Sequence, residues 1–373
     1  MPLDKAMQVA RFSGEKITQT YSKYERFIPA GSFGLGIIFD ILTLGRIDHL
    51  SNIIQIGVYL LLIAFLLGVE AVDLKSPMTP PGFLMKVWRF RDEVTHFFLG
   101  SLLSAFTIFF LKSGTLISSF LFLAIIAGAL VGNEFSGVRR YGLIMRVVLF
   151  SVCLISYGVA LVPVFWGRIG VLQYLVSIVL ASAIFAGLVA LLPKKYFEPE
   201  WIRKQIIFPF AATVVSFSLL YILGAIPPVP LSLTHFGIYR SVERVSGNYK
   251  VTYMRPTWKF WQSGDQSFVY RSGDRVYCFF SVFSPGGFQE QIQVRWLSFS
   301  AGGGWEGSDA IPVNISGGRE QGFRGFAYKQ TLKPGLWQVR IETNDSREIG
   351  RLSFEVTADD DPAAQRELKE EIL

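Results

Sequence analysis

Hydrophobic positions along this chain change rhythm once, near residue 227. Before that point they form long unbroken runs, and after it they fall into short stretches alternating with polar residues. Long runs suit helices in lipid, where every backbone N–H and C=O has to be satisfied within its own segment. The runs at 53–69, 96–111, 116–132, 143–166, 171–192 and 206–226 each read as a membrane-spanning helix, and a shorter one at 27–44 brings the number to about seven. Pro29, Gly31, Gly34 and Gly36 loosen that first run, so a full crossing and a re-entrant loop both remain open for it. Only Lys112, Ser113 and Gly114 turn the chain from the third run into the fourth, which makes those two an antiparallel hairpin. Pro163, Pro193 and Pro209 are expected near helix ends, where a missing N–H costs least.

Pro227, Pro228 and Pro230 then mark a domain boundary. Beyond it, strands are predicted at 249–253, 267–270, 275–283, 291–299, 311–315, 322–331, 336–343 and 349–356. The clearest alternation sets Trp337, Val339 and Ile341 inward, with Gln338, Arg340 and Glu342 outward. This pattern predicts a two-sheet antiparallel, immunoglobulin-like β-sandwich over 228–357. The acidic end, 358–373, reads as a solvated helix or tail. At the other end, 1–26 spaces Lys5, Arg11, Lys16, Lys23 and Arg26 among apolar residues and reads as an amphipathic interfacial helix.

Charge orients this arrangement. The chain carries a net +7 and a pI near 9.3, which would normally raise nucleic acid as a partner. Up to Val229, however, there are 19 Lys and Arg against 12 Asp and Glu, and after it there are 17 of each, so the excess belongs to the membrane half. Basic residues concentrate in alternate connections: the N-terminal segment; Lys75, Lys86, Arg89 and Arg91; Arg139, Arg140 and Arg146; and Lys194, Lys195, Arg203 and Lys204. The intervening connections carry one each, Arg46, Lys112 and Arg168. Because Lys and Arg resist translocation, the N-terminus is expected in the cytoplasm and the sandwich in the periplasm of a bacterial inner (cytoplasmic) membrane, with no nucleic-acid role.

Candidate chemistry is sparse. Cys153 and Cys278 fall in a helix and a distant strand, which argues against a disulfide. Three histidines without ligand spacing give no metal site, and no cofactor fingerprint, nucleophile elbow or phosphate loop is present. A polar set within or beside the membrane runs are the candidates there: Asp40, Arg46 and Asp48, with Asp40 and Arg46 a plausible ion pair; Glu93 and His96, sharing a helix face; and Asn133 with Glu134 at the same membrane face. In the sandwich, Arg319 and Arg324 bracket a glycine-rich turn, where they either present guanidiniums to an anionic ligand or staple a loop to backbone carbonyls. Trp258, Trp261 and Trp305 lie in loop-like context and are candidates for a binding surface, with a membrane-proximal aromatic belt as the other reading of Trp258 and Trp261. Trp296 and Trp337 alternate with core residues and are expected to be buried.

The V-Y-C-F-F run at 276–280, Trp296, G-G-R-E-Q-G-F-R at 317–324, G-L-W-Q-V at 335–339 and G-R-L-S-F at 350–354 resemble a bacterial domain of unknown function, number 2914. The membrane half is similar to its multi-pass members through Phe39-Asp40, T-L-G-R-I-D at 43–48, Asn133-Glu134 and P-V-P-L at 228–231. That resemblance implies the same architecture and brings no activity, substrate or catalytic residue with it. The favoured expectation is a non-enzymatic envelope protein whose sandwich binds a protein, peptidoglycan or glycan. The alternative is a transporter or lipid-handling protein with the sandwich as a regulatory cap, and an intramembrane enzyme comes third.

Overall fold

The computed structural model describes residues 45–77, 91–134, 142–300, 302–359 and 365–373. Among the described residues, six helices are long and apolar enough to cross a membrane: α1 (Leu50–Lys75), α2 (Arg91–Lys112), α3 (Leu116–Asn133), α4 (Gly142–Trp166), α5 (Val171–Ala190) and α6 (Pro199–Ile222). The 1–26 segment and the 27–44 run lie outside the described residues. Helix α4 is the hub, packed against α1, α2, α5 and α6. On the outside of the bundle Leu61, Ile117, Phe120, Phe165, Val179 and Ile222 stand exposed among the described residues, an apolar belt suited to lipid tails.

Proline position departs from expectation in α6. Pro209 sits inside a helix that begins ten residues earlier, at Pro199. A single π-helical turn at Arg203–Ile207 precedes it. Widening the helix there absorbs the hydrogen bond that a proline nitrogen cannot donate.

Among the described residues eleven strands follow: β1 (Ser232–Tyr239), β2 (Ser241–Val245), β3 (Asn248–Tyr253), β4 (Ser267–Tyr270), β5 (Val276–Phe283), β6 (Gln289–Phe299), β7 (Trp305–Ser316), β8 (Phe323–Lys329), β9 (Gly335–Thr343), β10 (Glu348–Ala358) and β11 (Lys369–Ile372). They build a sheet β1-β5-β8, a sheet β4-β10-β9-β6-β7 and a small sheet β11-β3-β2. The first two face each other across one core in which Phe280, Val282, Val294, Trp296, Trp337, Val339, Ile341 and Phe354 are all buried. This is the sandwich that the alternation predicts. Strand β5 lacks alternation because both its faces are covered. Cys278 and Phe280 enter the main core, while Phe279 packs with Tyr239 and Val251 under the small sheet.

Four details differ from the sequence reading. Strand β4 runs parallel to β10, so the sandwich is not wholly antiparallel. Strands β1 and β2 were not foreseen; a register shift between Leu233 and His235 breaks the alternation of β1. The described part of the acidic end, 365–373, is neither a helix nor a free tail, since Lys369–Ile372 pairs with β3 and Lys250 meets Glu370 at 2.7 Å. Gln338 and Glu342 face outward yet are buried at 3% and 6% exposure. Their cover is the neighbouring arginines: Arg340 Nε donates to Gln338 at 2.6 Å and Arg295 Nε to Glu342 at 2.8 Å.

The sandwich stands on one end of the bundle, and the connections that touch it are those with a single cation. Arg46 lies 4.5 Å over the Phe283 ring. Thr115, just after Lys112, donates to Glu348 at 2.6 Å. In the α4–α5 turn, Gly167 accepts from the Gln289 N–H at 2.9 Å and the Ile169 N–H donates to Glu290 at 3.1 Å. Gly167 has φ +73° and its backbone crosses that of Gly287 so closely that a Cβ would meet the Gly287 oxygen at 2.8 Å.

Candidate functional site

At the end of the bundle away from the sandwich, charges from three helices meet. Arg146, on the first turn of α4, contacts Glu70 of α1 at 2.7 Å and Asp92 of α2 at 2.9 Å. Arg91 joins Asp73 at 2.6 Å. Arg146 and Glu70 are both buried, and a buried charge is stable only when paired. One turn deeper, His96 Nδ1 lies 2.9 Å from Asn133 Oδ1, and Asn133 Nδ2 donates to the His96 carbonyl at 3.0 Å, locking α2 to α3. The structure therefore unites His96 with Asn133. Glu93, by contrast, is exposed, and the Glu134 side chain and Asp40 lie outside the described residues. In the sequence Arg91 and Arg146 read only as topology signals, and Glu70, Asp73 and Asp92 carry no site expectation. The sequence does hold a signal: acidic residues where one span ends, Glu70 and Asp73, and basic ones, Arg91 and Arg146, where later spans start from the same membrane face.

At the sandwich end, Arg46 pairs with Asp48 through Nε–Oδ1 at 3.1 Å and Nη2–Oδ2 at 2.7 Å. With Phe283 beneath its guanidinium, this pair fixes the entry of α1 against the sandwich. A cleft of about 300 Å³ opens beside it, lined in part by Arg46, Lys112, Ser232 and Glu320.

In the sandwich the candidates separate. Arg324 donates to the carbonyls of Gly247 at 2.9 Å and Leu373 at 3.2 Å, and its guanidinium lies over Tyr249. It staples the β2–β3 hairpin and the chain end to β8. Arg319 is exposed beside Phe323, and Trp305 is half-buried against Phe299.

Trp258 and Trp261 sit on the loop between β3 and β4, edge to face with ring centroids 5.6 Å apart, and Phe260 meets Trp261 at 5.3 Å. All three rings are open, at 64%, 80% and 62% exposure for Trp258, Phe260 and Trp261. The loop's base is held firmly. Asp265 accepts the Met254 N–H at 2.8 Å, its own N–H donates to Ile238 at 2.7 Å, and Gly264 at φ +72° has a Cβ position only 1.9 Å from the Ile238 oxygen. Ile238 lies six residues along β1 from its bundle end, roughly 20 Å from the helices at strand rise. A membrane-proximal belt is thus not where this loop sits, and the arginine staple lies at the opposite end of β3.

Among the solved structures, an immunoglobulin-like protein from Pseudomonas aeruginosa is 11% identical over 35% of this chain and 98% of that one, with a TM-score of 0.21. A beta-glucosidase from Listeria innocua in complex with glucose is 13% identical over 33% of this chain and 16% of its own, with a TM-score of 0.18. The alkylpurine DNA glycosylase AlkC of Pseudomonas fluorescens, bound to DNA containing an abasic site analog, is 12% identical over 84% of this chain and 100% of that one, with a TM-score of 0.22. These likenesses are too slight to carry an argument about activity. No curated protein matches the chain. Residues 289–356, from β6 to β10, match a family described as protein of unknown function, DUF2914.

Proposed function

We propose that this chain, whose residues 289–356 belong to the DUF2914 family, is a non-enzymatic inner-membrane protein that holds its sandwich in the periplasm and grips an envelope partner with the Trp258–Trp261 loop. The partner is a protein, peptidoglycan or another glycan. One observation carries the reading: three large rings stand open to solvent on a single braced loop at the end of the sandwich farthest from the helices. Exposed aromatic clusters of this kind mark binding surfaces, and tryptophan is enriched among residues that dominate binding energy.

Charge supports the orientation, since Arg46, Lys112 and Arg168 all lie in connections at the sandwich end, while among the described residues Lys75, Arg91, Arg146, Lys194, Lys195, Arg203 and Lys204 gather at the other. The helices favour binding over transport. Among the described residues the groove between α1, α4, α5 and α6 is about 50 Å³ and lined by apolar side chains such as Leu67, Phe150 and Phe185. A transport path needs polar groups lining a larger opening.

The intact protein, purified gently with a photo-crosslinker in place of Lys259, tests this. Crosslinked partners, or retention on purified peptidoglycan, are expected to fall at least about tenfold in Trp258→Ala/Trp261→Ala. Equal capture by the double variant would remove the loop from the reading.

A further inference from the structure

A second site lies at the opposite edge of the sandwich, where β7 ends one sheet and β8 ends the other. The two edge strands diverge there and leave a cleft of about 380 Å³, within the range of small-ligand pockets. Its lining includes Trp296, Asp309, Tyr328, Lys329, Gln330 and Thr331.

Three features set it apart from an ordinary seam. Trp296 is fully buried, yet its indole N–H finds no acceptor among the described residues. A buried donor left in that state costs about 1–3 kcal/mol, so a core tryptophan normally reaches a partner, as Trp337 does through the Lys333 carbonyl at 2.8 Å. The strand pairing also slips beside it. Trp296 faces Asp309 but Leu297 faces Gly307, which leaves Ser308 as an extra residue. Such bulges re-aim side chains, and here Ser308 and Asp309 both bind the Lys329 ammonium, Ser308 Oγ at 2.8 Å. Finally, in the amide orientation that satisfies both of its ends, Gln330 takes the Arg275 guanidinium on its oxygen, with Nε at 2.6 Å, and turns its NH2 toward acceptors.

We propose that this cleft binds a sugar ring, with the Trp296 N–H donating to one of its oxygens. Lys329 and Asp309 neutralise each other, so the cleft offers little to a simple anion or cation. Its lining is a mixed set: a donor on Lys329, an amide on Gln330, an acceptor on Asp309 and a hydroxyl of either sense on Thr331, with the Trp296 N–H buried and unpartnered among the described residues. Hydroxyl groups both donate and accept, and a sugar presents several in fixed geometry beside C–H surface that suits the half-exposed ring of Tyr328. The site stands on a different edge from the aromatic loop and holds whether or not that loop binds a partner.

The intact protein in nanodiscs, labelled with nitrogen-15 at tryptophan, provides the readout. The Trp296 indole resonance is identified by its loss in Trp296→Phe, or by elimination through the other seven tryptophans. Glucose, galactose, N-acetylglucosamine and their disaccharides are the probes. At least one is expected to move that resonance saturably, with Kd raised at least tenfold in Asp309→Asn and unchanged in Trp258→Ala. A preference for disaccharides assigns the site to a glycan, and equal response to the single ring assigns it to a free sugar. A resonance unmoved by every probe, or binding equally tight in Asp309→Asn and Thr331→Val, overturns the proposal.

Discussion

Asp265 shows how one residue decides whether the aromatic loop has a fixed base. Its carboxylate is 2% exposed, takes the Met254 N–H on both oxygens at 2.8 and 3.0 Å, and lies 3.2 Å from Arg240. Burial raises its pKa above the ordinary 3.8, against the opposing pull of those hydrogen bonds. Asp265→Ala leaves the buried Arg240 guanidinium with only the more distant Asp274 at 3.7 Å as a charge partner and is expected to cost about 3–5 kcal/mol in thermal unfolding. His235 carries the clearest pH signal. Its Nε2 lies 2.8 Å from the Tyr239 hydroxyl, and burial lowers its pKa below 6.5 despite the charge of Glu371. A depressed folded pKa means that the stability is whole above 6.5 and is lost as pH falls through the folded value. Melting temperature is therefore expected to drop as pH falls below 6.5, and to drop less in His235→Gln.

At the scale of elements, two contacts between helices do what lipid-facing apolar surface cannot, because helices gain no hydrophobic advantage from each other inside a bilayer. The His96–Asn133 pair locks α2 to α3, and Glu70–Arg146 locks α1 to α4. Removing Arg146 alone leaves Glu70 buried and uncompensated. Unfolding in bicelles is expected to show Arg146→Gln destabilised by about 3–5 kcal/mol, with Glu70→Gln/Arg146→Gln recovering part of that loss. Equal stability of the single and double variants would mean that the two charges do not depend on each other. The helices and most strands could be read from periodicity, because burial on one or both faces repeats along an element. Strand β11 could not, since Lys369, Glu370 and Glu371 carry no apolar rhythm and pair with β3 through backbone bonds and the Lys250–Glu370 contact.

For the whole molecule, the question is how rigidly the sandwich is seated and on which side. Gly167 is a close point of the junction, where both its φ and its approach to Gly287 exclude a side chain. Gly167→Ala is expected to loosen the seat and speed protease cleavage around Pro227–Pro230 while the separate cores persist. Orientation is tested by a cysteine at exposed Glu306, since Cys153 and Cys278 are both buried. A membrane-impermeant maleimide is expected to label Glu306→Cys once the outer barrier is opened and the inner membrane left intact. Labelling only after that membrane is broken would place the sandwich in the cytoplasm.

Sequence by itself determined the helices, the sandwich and which connections share an end of the bundle. Those features follow from apolar spacing and charge placement, which act within a few residues. Tertiary structure alone decided that Glu70 meets Arg146, that Arg324 holds the chain end, that the tryptophans and arginines form separate surfaces, and that the Trp296 N–H is left unpartnered beside a polar cleft. Each of these depends on which elements adjoin and in what register, and a one-residue slip in a strand or a different neighbour for a helix would rearrange them while leaving the hydrophobic rhythm intact.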